Sequence, residues 1–416
     1  MIVRRRPSRW TVLTLVASAA LQVAALTVIG SRVSGGDAYT YIALARDWDS
    51  LGRLLSPDAF FGDLGPLSEV GNFWPAGYPG YLSLFDGFGE QWLILVRMSQ
   101  IAMVLGIAVM VAALAREVSD AAARWTLLVA AFSPTLIWAG WTIGYELLLG
   151  FLLVLAAYLL SRPGTTSVTW QSPAVVGVTA GVIAGVALIV QFRAAFAIPF
   201  LGYLAWQRHG VRALLVFTGA TTGVLGVWGA RTWVAIGVPV PWSANGPYNL
   251  WNGNGPHATG TNVFPLPTPP GGMSLAQASI DWILANPGAF FDLVAHKALM
   301  SFYPTEVADV SDMFPAEGLM TVAQWGYSLA FLTLLLLFFG AQAWRLSLAV
   351  QRLWPLAMIG IALVLPNLIF IAVARYRIPA EPFFIPVVVG TGIELLRRAR
   401  RPPSTVDHPQ LPVMRS

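Results

Sequence analysis

"WTVLTLVASAALQVAALTVIG", Trp10 to Gly30, carries no charged residue from end to end. A helix needs about 20 mostly apolar residues to cross a bilayer, so this one run already decides the fold class. Just before it stands "RRRPSR", Arg4 to Arg9, a flank that suits a secretory signal as well as a first span. The apolar stretch is longer than a signal's hydrophobic region and no A-x-A cleavage site follows, which favours a retained helix. Farther out the same character persists. Of the 416 residues 56% are hydrophobic and 11% charged, against about 25% charged in a soluble domain. The expectation is an all-α polytopic membrane protein. With no cysteine, disulfides and thiol nucleophiles are excluded, and 4 scattered histidines speak against a histidine-built metal site. The net charge of +5 is read by position, because cations beside spans are topology signals before they are signs of nucleic acid. No nucleic-acid partner is expected.

Apolar runs and their breaks place ten spans, at 10–30, 92–115, 122–140, 144–160, 174–192, 195–206, 212–236, 322–343, 353–373 and 381–396. With the N-terminus inside, the interior loops and tail hold Arg4, Arg5, Arg6, Arg9, Arg116, Arg124, Arg162, Arg208, Arg212, Arg345, Arg352, Arg397, Arg398, Arg400, Arg401 and Arg415. That is 16 of the 25 cationic residues, whereas only Glu117, Asp120, Glu394 and Asp407 of the 20 acidic ones fall there. Such a bias marks the cytoplasmic side. Two exterior segments are long, 31–91 and 237–321, and long loops on a helical scaffold are where function gathers. One transmembrane domain over 1–396 is therefore expected, with interfacial helices in both long loops and a basic, then Pro-rich, cytoplasmic tail at 397–416. Both termini are expected on the cytoplasmic side of the membrane, with the working face pointing outward.

Four stretches could carry chemistry. In "SGGDAYTYIALARDW", Ser34 to Trp48, Tyr41, Leu44, Ala45 and Trp48 share one helical face, as in a helix lying along the interface. Asp37 is then either an N-cap in a wet loop or a reactive acid. The run "WPAGYPGYLSLF", Trp74 to Phe85, is too short and broken to cross; its Pro75, Gly77, Tyr78 and Pro79 fix a backbone path at headgroup level. In "VARYRIPAEPFFIPVV", Val373 to Val388, Arg375 and Arg377 emerge on the cation-poor side, as does Arg193 in "FRAAF". They either snorkel to lipid phosphates or clamp one phosphate with planar, multi-donor heads. A charge near hydrocarbon costs about 2.5–3.5 kcal/mol, so Arg193 should have a partner, and Glu146 in "GYELLLG" is the candidate. Finally "YNLWNGNGPHATGTN", Tyr248 to Asn262, offers Trp251, Asn252 and Asn254, residue types that suit sugar contacts and plain turns alike. His257 stands there without metal-ligating companions.

In that order, "GDAYTYIALARDW", "WPAGYPGYLSLF", "LVRMSQIAMVLGIAVMVAALARE", "LWNGNGPHATG" and "ARYRIPAEPFF" resemble the bacterial dolichyl-phosphate-mannose-protein mannosyltransferase-like family of GT-C glycosyltransferases over residues 10–396. The resemblance implies a GT-C-like bundle. It implies transfer of a sugar, mannose by default, from a polyprenyl-phosphate donor to a protein, glycan or lipid acceptor outside the cytoplasm. Asp37 matches the family's catalytic base. Two departures stand out: the usual Pro-Pro-Gly-Tyr-Pro becomes Pro75-Ala76-Gly77-Tyr78-Pro79, and the second acid beside the loop aspartate is replaced by Ala38. A paired-carboxylate or metal role is thus not carried over.

The mechanism expected is a one-step inverting displacement with Asp37 as base. Arg375, Arg377 and Arg193 bind the donor phosphate, and Tyr41, Tyr78, Trp251, Asn252 and Asn254 supply substrate or loop contacts. No cofactor and no obligatory metal are expected, since arginines can neutralise a phosphate leaving group. The alternatives are a transporter or lipid flippase, and a non-catalytic scaffold subunit of the same fold. A transporter would place charges mid-span and show repeated halves, and no repeat is visible.

Overall fold

The computed structural model describes residues 8–33, 36–46, 74–162, 172–237, 245–263, 265–302 and 348–400, with isolated positions between them. Outside the described residues fall Arg4 to Arg6, Ser34, Trp48, most of the first exterior loop, residues 303–321, most of the eighth expected span and the tail beyond 400. All regular structure among the described residues is helical. In chain order the helices are α1 (Arg9–Ile29), α2 (Gly36–Arg46), α3 (Gly77–Asp86), α4 (Trp92–Ala115), α5 (Asp120–Ala131), α6 (Pro134–Trp141), α7 (Tyr145–Ser161) and α8 (Pro173–Val190). There follow α9 (Ala194–His209), α10 (Val211–Ile236), α11 (Gly246–Gly253), α12 (Leu275–Ala285), α13 (Pro287–Ser301), α14 (Leu348–Ile369) and α15 (Glu381–Ala399). A short 3-10 turn, Ala374–Arg377, joins the last two.

Among the described residues five segments are long and apolar enough to cross a membrane: Arg9–Ile29, Gly89–Ala115, Pro173–Val190, Val211–Val234 and Arg352–Ile369. The chain is a multi-pass helical membrane protein. The expected third span is broken into α5 and α6, bent by 43°. Pro134 has no N–H to continue the ladder, and Ser133 restarts the helix by accepting from the Leu136 amide at 3.3 Å. The fourth and sixth are shorter than a full crossing, 17 residues in α7 and 16 in α9, where Pro199 interrupts the ladder. The tenth, α15, begins with Glu381 and ends in Arg397 and Arg398. Serines also cap α1, α5, α8 and α12, where Ser8, Ser119, Ser172 and Ser274 each accept a first-turn amide.

Small residues set how closely the spans approach. Along α8, Gly177, Gly181 and Gly185 lie one turn apart on the face that meets α10. A Cβ on them would stand 2.7 Å from the Ala213 carbonyl oxygen, 2.4 Å from that of Phe217 and 2.6 Å from the Val224 Cβ. The Thr221 hydroxyl donates across this seam to the Gly181 carbonyl at 3.1 Å. In hydrocarbon such close packing and interhelical bonding drive association, because burial of apolar surface does not.

The two ends of the bundle are knit differently. At one, Arg208 pairs with Glu117 at 2.6 Å, Arg352 donates to the Glu117 carbonyl and the His209 ring contacts the Leu160 carbonyl at 2.9 Å. The opposite end gathers the C-termini of α1, α8 and α14, the N-termini of α2, α7 and α9, and the 3-10 turn. Asp37, Glu146, Arg193 and Arg375 meet there.

Candidate functional site

Gly30 ends α1 with φ at 58°, a left-handed conformation that glycine adopts without strain. Helix α2 begins at Gly36, so Asp37 lies inside the first helical turn and is not its N-cap. An acid there is favoured by the helix dipole. Tyr41, Leu44 and Ala45 form the buried face of α2, as their spacing predicts, while Tyr39 is exposed. That buried face packs on α3, whose Gly77 sits so close to α8 that a Cβ would be 2.6 Å from the Val190 nitrogen. The Pro-Ala-Gly-Tyr-Pro path is thereby explained by packing.

Asp37 and Arg375, 338 residues apart, are joined directly: an Arg375 Nη donates to Asp37 Oδ2. The Nε of the same guanidinium lies 3.4 Å from Glu146 Oε1. One arginine thus bridges two carboxylates on two different helices. Side-chain exposure falls from 34% at Asp37 through 20% at Arg375 to 6% at Glu146, so Asp37 is the member an incoming molecule meets first.

Beside this triad, Tyr376 separates two cations. Its ring carries the Arg193 Cζ at 3.9 Å and the Arg375 Cζ at 5.6 Å, distances at which cation–π attraction operates. Arg193 also donates to the Asn367 side-chain oxygen near the end of α14. The expected Arg193–Glu146 pairing is not what the fold makes: Glu146 ion-pairs with Arg375. Among the described residues no carboxylate ion-pairs with Arg193, although it is only 9% exposed. Its guanidinium has donors left over for an anion. Burial pushes the Tyr376 hydroxyl upward, so the ring stays neutral between the two arginines.

Arg377 turns elsewhere. Its Nε pairs with Glu381 at 2.9 Å, both side chains being almost fully buried, and Nη1 reaches the Ser301 carbonyl at 3.5 Å. It ties the 3-10 turn to α13 and α15, and a phosphate role does not fit that position. Tyr41 and Tyr78 are buried as well, edge to face at 5.1 Å, with Tyr145 6.4 Å beyond Tyr41. They form the floor beneath Asp37.

The second loop resolves in favour of structure. Asn252 is fully buried, donating to Asn262 at 2.5 Å and accepting from the Val263 amide at 2.8 Å. Asn254, equally buried, donates to the Leu250 and Ile369 carbonyls at 2.9 and 2.7 Å and accepts from Lys297 at 2.9 Å. Trp251 donates to the Pro267 carbonyl at 2.8 Å and meets the His257 ring edge to face. Between the two asparagines, Gly253 admits the Phe370 carbonyl so closely that a Cβ would be 2.1 Å from its oxygen. The Asn-Gly run therefore clips the loop to the end of α14, one short turn before Arg375, and the sugar-contact expectation for its asparagines is replaced.

Glu146's bridge, Asn367, Tyr376, Arg97 and Lys297 were missed by sequence reading. Asn367 and Arg97 were visible as polar residues within apolar runs; Lys297 and Tyr376 gave no signal of their own. Comparison with family models, curated proteins and solved structures gives no match to this chain. No group of metal-ligating residues occurs among the described residues.

Proposed function

We propose that this protein is a GT-C-like membrane glycosyltransferase, with ten spans in full, that moves a sugar from a polyprenyl-phosphate donor to an acceptor hydroxyl outside the cytoplasm. The observation that carries this reading is the bridge Asp37–Arg375–Glu146 at the mouth of the bundle, with Arg193 a second cation across Tyr376. A lipid-tethered phosphate would react at headgroup depth, and the cation bias along the chain supports an outward-facing site at the ends of the spans.

In the proposed reaction the acceptor oxygen attacks the anomeric carbon as the bond from that carbon to the phosphate oxygen breaks. The acceptor proton passes to Asp37, and the departing phosphate takes the electron pair. A single base suffices for inversion, whereas a covalent sugar intermediate would need a second carboxylate as nucleophile. Arg375 and Arg193 stabilise the charge that grows on the leaving phosphate, the term that usually dominates such steps. Glu146 retains Arg375 when the phosphate draws that guanidinium away from Asp37, leaving Asp37 Oδ2 to the acceptor.

The test is transfer of radiolabel from polyprenyl-phosphate mannose, and from other sugars on the same carrier, to envelope acceptors by the purified protein in lipid vesicles. Label should appear in acceptor only when the protein is present and the carrier is a polyprenyl monophosphate. Movement of the labelled donor across the bilayer without transfer would instead favour a flippase.

A further inference from the structure

Resting on the transferase reading above, the fold gives a role to a residue to which the sequence reading assigned none. Arg97 lies in α4, one and a half turns from its start, and its side chain is among the largest that are wholly buried. Its guanidinium faces three backbone carbonyls. Nε donates to Trp141 at 2.8 Å, Nη1 to Gly30 and Nη2 to Arg32. Gly30 and Arg32 belong to the exit of α1 and Trp141 to the last turn of α6. Gln100, one turn further along α4, adds bonds to the carbonyls of Ala139 and Thr142 at 3.0 and 2.7 Å.

The sequence positions give these bonds their meaning. Arg32 precedes Asp37 by five residues, and Trp141 precedes Glu146 by five. Helix ends leave their last carbonyls without intrahelical donors, and deep in a membrane protein those oxygens must be met by protein groups. A guanidinium meets three at once with a rigid planar head, which an ammonium cannot do in the same geometry. Burying this charge is costly, and nothing in the packing of α4 alone asks for it. Neither Arg375 nor Arg193 stands on a segment that Arg97 touches.

We propose that Arg97 is the positioning residue of this site: its guanidinium clasps the two chain segments that carry Asp37 and Glu146 and so fixes the carboxylates relative to Arg375. Removing the clasp displaces the carboxylates while Arg193 keeps its own supports, Asn367 and the Tyr376 ring, and continues to offer the phosphate a cation. Binding and turnover should therefore separate, as a purely structural role would not allow.

The absence of cysteine makes the distance directly measurable. Nitroxide labels go on Arg46→Cys, at the exposed end of α2, and on Val109→Cys, at an exposed position of α4. In Arg97→Met the label distance should leave the wild-type distribution. The rate of transfer should fall about 10²-fold, as small misplacements of reacting groups do, with polyprenyl phosphate bound as tightly as by wild type. Arg97→Lys should show the same displacement to a lesser degree, and it carries the measurement if Arg97→Met does not fold. An unchanged distance distribution in either folded variant overturns the proposal, as does an equal loss of binding and turnover. If the wild-type protein transfers no sugar, the transferase reading fails by itself, and the label distances still decide whether Arg97 holds α2.

Discussion

Arg375 is the residue on which the site turns, because it reaches one half-buried and one buried carboxylate while standing on a turn between two helices. Its replacement leaves Glu146 buried without its counter-charge, a situation that costs several kcal/mol when one partner of a buried pair is removed. Arg375→Ala should therefore raise the donor KM far more than the acceptor KM, and a parallel loss for both would count against a phosphate clamp. Lys297 offers a test of the second loop that needs no substrate. Burial pushes its ammonium down to about 8, against roughly 10.4 in an unfolded chain. Between those values the unfolded chain holds the proton and the folded chain does not, so stability contributed by this residue rises with pH across that window. Thermal unfolding in detergent should show wild type gaining on Lys297→Met from pH 8 to 10, with no relative change from pH 6 to 7. At this scale the sequence showed Asp37, Arg193 and Arg375 because acids and arginines at span ends are conspicuous in an apolar chain. It could not show Glu146's true partner, or that Arg377 faces Glu381, since both depend on which side of a four-residue turn each side chain leaves.

Among the elements, the seam between α8 and α10 is the plainest case of packing written in small residues. Gly181→Val would drive a branched side chain into the Phe217 carbonyl, and overpacking of this kind costs about 1–3 kcal/mol. A lowered unfolding temperature with unchanged donor binding in the surviving folded fraction is the expected result, and a neutral effect would mean that the seam is looser than its geometry. Gly77→Ala acts at the same scale but nearer the site, pushing α3 off the end of α8 and with it the tyrosine floor under Asp37. The existence of the first, second, fifth, seventh and ninth spans was legible from apolar length alone. The break at Ser133 and Pro134 was also written there, as a capping serine followed by proline. It was overridden by the apolar run on either side, because hydropathy counts residues and ignores a missing backbone N–H. The Asn-Gly run of α11 was ambiguous for a physical reason, since amides that bond a sugar bond carbonyls equally well, and only burial decides between them.

Across the whole molecule, charge at one end and a reactive-looking cluster at the other give the bundle a direction. If the site faces outward, Arg46→Cys should react with a membrane-impermeant maleimide added to intact cells, and Arg400→Cys only after the membrane is opened. The reverse pattern would put the cluster in the cytoplasm and remove the link to an outer-leaflet donor. Asp37, Arg375 and Glu146 meet where their elements begin or end, so the central proposal is about one cluster of side chains: Asp37 as the base that takes the acceptor's proton, with arginines holding a lipid phosphate. The measurement that bears on it most directly is single-turnover transfer from polyprenyl-phosphate sugar by Asp37→Asn, with donor binding recorded on the same preparation. Loss of a positioned general base predicts a rate lower by about 10²–10⁴-fold with the donor still bound. Transfer at the wild-type rate by folded Asp37→Asn would contradict the account.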